Sequence, residues 1–185
     1  MKILYGQRQF QHHFFERDSC TCPVQEFLDS LDDKMAAKLY GMMDILAEYG
    51  NELRKPYSKH LTDGIFEVRA KFGSNITRVL YFFYVGKTIV MTNGFVKKTQ
   101  KTPKAQIELA KKIPKYIYRK ECPSMITFRD SLNKRLENEN FRKEYEDIQP
   151  EMDIIRAIVK ARKEQRITQA ELAARTGIHQ GTSAD

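Results

Sequence analysis

The sequence predicts an α+β fold: a small antiparallel sheet with two helices before it and one after, followed by an all-α tail. Three observations predict it. Apolar residues alternate with a period of two over residues 65–85, the mark of strands with one buried face. Ahead of them, over 23–49, apolar residues recur at helical spacing. Beyond residue 125 every periodic stretch is helical, so strands and helices are segregated along the chain.

The elements follow in order. KILYG, residues 2–6, reads as a short strand. CPVQEFLDSLDDKMAAKLYGMMDILAEYG then reads as two helices, with Pro23 in the first turn of one and Ser30 and Asp32 as candidate caps for the next. Met35, Leu39, Met42, Met43 and Leu46 form the apolar stripe of the second helix, and Gly50-Asn51 stops it. IFEVRAKFGSNITRVLYFFYV is a hairpin turning at Gly73-Ser74-Asn75, and KTIVMTNGFV supplies a third strand, giving an antiparallel meander. Thr102-Pro103 opens another helix, which Pro114 is expected to bend or end.

KECPSMIT reads as a joint. After it, a heavily charged helical segment runs to Pro150, and EMDIIRAIVKARKEQRITQAELAARTGI holds two further helices. Ile154, Ile155, Ile158 and Val159 make an apolar stripe on the first. Thr168 with Glu171 forms a capping box on the second, and Gly177 suits the turn after it. The division expected is therefore 1–121 and 125–185. No internal repeat or low-complexity tract is present.

With 185 residues, 41% of them hydrophobic and 11% aromatic, the chain has material for a real core and is not intrinsically disordered. No apolar run approaches the ~20 residues that cross a bilayer. The first residues lack the apolar region of a signal peptide, and three cysteines are an odd number, so free thiols in the cytoplasm are expected. The net charge of +8 is localised. Residues 1–121 hold 21 Lys+Arg against 13 Asp+Glu, whereas 122–185 hold 11 of each. A basic unit favours a polyanionic partner, although ordinary solubility charge gives the same balance.

The polar positions of the hairpin are where that charge concentrates. Arg69 and Lys71 share one strand face, about 6–7 Å apart by strand rise, and Arg78 joins them from the neighbouring strand if the turn sets that register. Lys97-Lys98 leave the third strand at the same end of the sheet. Cations so placed suit a phosphodiester backbone, and they repel one another unless an anion joins them. A solvated face is the competing reading.

LTDGIFEVRAKFGSNITRVLYFF followed by TIVMTNGFVKKTQKTPKAQIELA resembles the RelE/ParE toxin superfamily, in particular its HigB-like, phage-derived branch, over residues 1–120. The resemblance implies a microbial-ribonuclease-like fold and metal-independent, cofactor-free cleavage of mRNA on the ribosome. Gyrase poisoning, as in some ParE relatives, and a non-catalytic regulator are the alternatives. By position, the family's basic residues fall on Arg69, Lys71 and Arg78, with Lys97 or Lys98 as the late-strand cation and Lys101 as a further RNA contact. In such a site Arg78 would clamp the pentavalent phosphorane and Lys71 would act as base. Lys98 or Tyr84 would supply the leaving-group proton, and Arg69 would position the backbone. Asn93 and Gly94 stand where some HigB members carry a histidine, and His60 precedes the hairpin. His12-His13 and Cys20-x-Cys22 lack the four converging groups of a metal site, so no metal is expected.

The tail from Met125 resembles HigA-type antitoxins, and ITQAELAARTGI the first half of a Cro/C1-type helix-turn-helix. That resemblance puts DNA-facing residues at Thr168, Gln169, His179 and Gln180. Only eight residues follow Gly177, at most ~12 Å of helix, so specific operator binding is not expected. The partners implied are mRNA on the ribosome and an antitoxin, in cis through residues 125–185 or in trans, with a homodimer open. In the cis case the acidic residues Glu144, Glu146, Asp147 and Glu151 would meet the basic sheet, unless they are a solvated helix face.

Overall fold

The structure is a computed structural model, and it describes residues 9–97, 102–117, 125–166 and 171. The elements are β1 (Gln11–Phe15), α1 (Pro23–Asp29), α2 (Asp33–Tyr49), a 3-10 turn (Gly50–Glu52), β2 (Ser58–Thr62), β3 (Ile65–Phe72), β4 (Asn75–Tyr84), β5 (Thr88–Val96), α3 (Lys104–Ile117), β6 (Met125–Thr127), α4 (Phe128–Leu136), α5 (Glu139–Asp147) and α6 (Gln149–Glu164). The α+β class holds.

The sheet is larger than the sequence predicts, and mixed. Its order is β2-β3-β4-β5-β1-β6, antiparallel throughout except for the parallel pair β1–β5. The meander β3-β4-β5 is present as expected. β2 joins it through the two-residue loop Asp63-Gly64, both residues at positive φ, the geometry whose twist suits a tight hairpin. The anticipated strand KILYG lies outside the described residues.

Helix ends follow local chemistry. Pro23 opens α1, and the Asp32 carboxylate accepts from the Met35 N–H to cap α2. Ser30 closes α1 instead of capping α2. Pro114 sits inside α3 without ending it. The charged segment before Pro150 is two helices, because Asn138 accepts from the Phe141 N–H and starts α5 afresh, and Pro150 belongs to the first turn of α6.

Two apolar layers flank the sheet. On one face Val68, Ala70, Val79, Tyr81, Ile89 and Met91 pack under α1 and α2. On the other, Ile65, Leu80, Phe82, Val90 and Phe15 pack under Ala110, Ile113 and Ile117 of α3.

The division at residue 122 is a boundary in charge, not in packing. Phe128, Leu132, Phe141, Tyr145, Met152, Ile155 and Val159 belong to the same core cluster as α2 and the sheet. β6 adds to the sheet edge beside β1, and the Phe128 ring meets those of His12, Phe14 and Tyr40. Hence α2 is covered on both sides, and thirteen of its seventeen residues are buried. The tail's stripe is split: Ile155 and Val159 are buried, whereas Ile154 and Ile158 are exposed. The helix-turn-helix residues Thr168, Gln169, His179 and Gln180 lie outside the described residues.

Candidate functional site

The basic face is built by register and by one bulge. Arg69 on β3 and Arg78 on β4 are direct partners in the antiparallel ladder, so their side chains leave the same face of the sheet a few ångströms apart. That face also carries Ile65, Leu80 and Phe82, the floor on which α3 lies. In β5 the pairing moves from Tyr81↔Met91 to Leu80↔Asn93, leaving Thr92 as an extra residue. Up to Met91 the odd-numbered residues of β5 face α2; after the bulge they face the Arg78 side. Asn93 therefore turns to α3, where its Nδ2 donates to Gln106 Oε1 at 2.6 Å. Lys97, whose N–H donates to the Ile76 carbonyl at 2.7 Å, comes out on the same face as Arg78. The Thr92 hydroxyl donates to the Leu80 carbonyl at 3.1 Å, satisfying the acceptor that the bulge would leave open.

The cations do not stand alone. Glu67, two residues before Arg69 and fully buried, accepts on Oε1 from Arg69 Nε at 2.8 Å and Nη2 at 2.5 Å. Its Oε2 accepts from Arg78 Nη1 and from the Thr102 hydroxyl, both at 2.7 Å. Arg78 Nη1 also donates to the Thr102 oxygen. A wholly buried carboxylate is tolerable only with such compensation. The expectation of cations held together solely by an external anion is thus corrected: two guanidiniums share one internal carboxylate, with one positive charge left over. Arg78 is only 4% exposed, so Thr102 and α3 restrict what reaches it. Its buried Nε meets no acceptor among the described residues.

Lys97 feels this cluster. Partial burial, then the charges of Arg78 and Arg69, lower its pKa below the ordinary lysine value, against the opposing pull of Glu67. Lys71 is exposed and shares Arg69's parity on β3. Lys98 and Lys101 lie outside the described residues. Tyr84 has Arg78's parity but is six residues further along β4, roughly 20 Å away by strand rise, too far to serve the same phosphate. His60 packs against the Phe66 ring on the other side of the hairpin, and His12 is buried against Phe128. Cys20 is exposed and Cys22 buried.

Sequence parity found Arg69, Lys71 and Arg78. It missed Glu67 as their partner, Thr102, and the bulge that orients Lys97. A signal for Glu67 existed: an acid between apolar Phe66 and Val68 on a strand that a helix covers on that face.

The acidic tail residues do not meet this face. Lys38 of α2 pairs with Glu151 at 2.9 Å, and Lys34 approaches Glu144 at 3.9 Å, on the far side of the sheet. Among the described residues no helix is long and apolar enough to cross a membrane.

No curated protein matches the chain. Residues 26–115, from α1 through most of α3 and including every residue of the Glu67 cluster, match the family described as phage derived protein Gp49-like (DUF891). The match spans just under half of the chain, and over it the sequence is similar to the Gp49-like phage-derived proteins, a RelE-like toxin family associated with toxin–antitoxin systems.

Proposed function

We propose that this chain is a ribosome-associated endoribonuclease of the toxin type, cutting mRNA by attack of a ribose 2′-OH on the adjacent phosphate. The observation that carries the reading is the convergence of Arg69, Arg78 and Lys97 on one face, placed there by ladder register and by the Thr92 bulge. Such a reaction needs positive charge around a phosphorane, a base and a proton donor to the leaving 5′-oxygen. Arg69 and Arg78 supply the charge. Lys97 suits the proton donor better than Tyr84, because it stands at the cluster and its lowered pKa makes its ammonium a stronger acid. Lys71, exposed on the same face, remains the base proposed from the family pattern. The chemistry requires no metal or cofactor. An antitoxin is the partner the family implies.

The burial of Arg78 favours a second reading, in which the cluster is structural and the face only binds RNA or an acidic antitoxin segment. Incubating the full chain with translating ribosomes and mapping transcript ends separates the two. Cleavage that Lys97→Ala and Arg69→Ala each reduce tenfold or more supports the enzyme. Binding of RNA with no new transcript ends supports the binder.

A further inference from the structure

We infer that Glu67 is the positioning residue of this face: one buried carboxylate aims both guanidiniums, and its single charge sets how strongly the face attracts RNA. The inference deepens the nuclease reading and rests on it for its catalytic consequence, though not for its geometric one.

The argument begins with stoichiometry. Neutralising a single buried arginine needs one carboxylate, but here one carboxylate serves two. Oε1 engages the Nε and Nη2 edge of Arg69, a fork that fixes the plane of that guanidinium. Oε2 engages Nη1 of Arg78, and the Thr102 hydroxyl closes a triangle with both groups. The arginines are cross-strand partners, so without Glu67 their like charges would push the two side chains apart. With Glu67 fully buried beneath them, they are held side by side and one positive charge remains for an incoming phosphate.

Two properties therefore move in opposite directions when the carboxylate loses its charge. Glu67→Gln keeps the side chain's size but adds one unit of positive charge to the face and presents an amide N–H₂ to one guanidinium. In the full chain, affinity for a short single-stranded RNA is expected to rise several-fold. Its logarithmic salt slope should steepen by about 0.7, while cleavage falls at least tenfold. Glu67→Asp, which keeps the charge on a shorter arm, should hold wild-type affinity and recover part of the cleavage. A merely structural glutamate would lower affinity, cleavage and melting temperature together, and that parallel loss overturns the inference.

Should Glu67→Gln fail to fold, Thr102→Val tests the same triangle without changing charge. Cleavage should then drop several-fold with salt slope unchanged; unaltered cleavage overturns the role. If the unmodified chain cuts no RNA, the nuclease reading fails by itself. The geometry is still read in the full chain from the Nε–H resonance of Arg69, the group that donates to Glu67 Oε1. Glu67→Ala should move it toward the position of a solvent-exposed arginine and Glu67→Asp only part of the way, and a resonance that stays in place in Glu67→Ala overturns the positioning role.

Discussion

Arg156 of α6 reaches Asp44 of α2, Nη2 donating to Oδ2 at 3.1 Å, while its Nε donates to Glu48 Oε1 at 2.9 Å. Both acids are buried, so this arginine brings positive charge to two carboxylates between α2 and α6. Arg156→Ala is expected to destabilise the chain by about 3 kcal/mol, because it removes the guanidinium that two buried carboxylates share. A urea denaturation midpoint that hardly moves would show that the acids find other compensation.

Removing residues 122–185 should not release a soluble, folded remainder. The truncation strips Phe128 and Phe141 from the Tyr40 ring, and Ser131 from the Tyr40 hydroxyl, 2.5 Å away. It also uncovers Gly41, where the tail packs so close that an added Cβ would lie 2.8 Å from Ile148 Cδ1. We expect aggregation, or binding of a hydrophobic dye with loss of near-ultraviolet circular dichroism. A monomer with cooperative unfolding at the full chain's temperature would contradict this.

Gly94 is the contact point between β5 and α1. A Cβ there would lie 2.0 Å from Phe27 Cδ1, far inside contact distance. Gly94→Ala should cost roughly 1–3 kcal/mol through displacement of the Phe27 ring. The companion Phe27→Leu, Gly94→Ala double variant should recover part of the loss, and strictly additive costs would argue that the two positions do not touch.

His13 gives the fold an acid sensitivity. Burial lowers its pKa below the usual 6.5, so the unfolded chain binds the proton more readily than the native one. Its contribution is complete above about 6.5 and is lost as pH falls through that value toward the lowered one. Melting temperature should drop over this interval in the native sequence, and His13→Gln should flatten the drop. Identical profiles would assign the sensitivity elsewhere.

Lys97 predicts the opposite behaviour for stability and for binding at alkaline pH. Because burial and its two arginine neighbours lower its pKa, the unfolded state holds the proton longer, and the penalty on folding eases as pH rises toward the ordinary lysine range. Anion binding needs the ammonium, so RNA affinity should weaken as pH rises from neutral to about 10. Lys97→Arg should remove most of that dependence, as a guanidinium stays charged throughout. Affinity curves that superpose would take Lys97 off the binding face.

Much of this arrangement is legible in the residues. Alternation located the hairpin and its three cations, and Pro23, Asp32 and Gly50 marked helix ends because their effects are local. β1 was not legible: QHHFF has no clean alternation, since His12 is buried beside Phe14 and His13 is only half-covered. The docking of the tail was hidden for a related reason. Leu39, Met42 and Leu46 account for one side of α2. That Tyr40, Gly41 and Asp44 are buried on the other becomes visible only when a partner surface is placed against them. Bulges leave still less trace, and the one at Thr92 decides where Lys97 points.

The doubly covered α2 has a mechanical consequence. One side of this rod grips Val68 and Ala70, the strand neighbours that flank Arg69, and its opposite side is clamped by α5 and α6. Whatever prises the tail helices loose must therefore slacken the footing of the arginine pair as well, although nothing in the tail touches either guanidinium among the described residues.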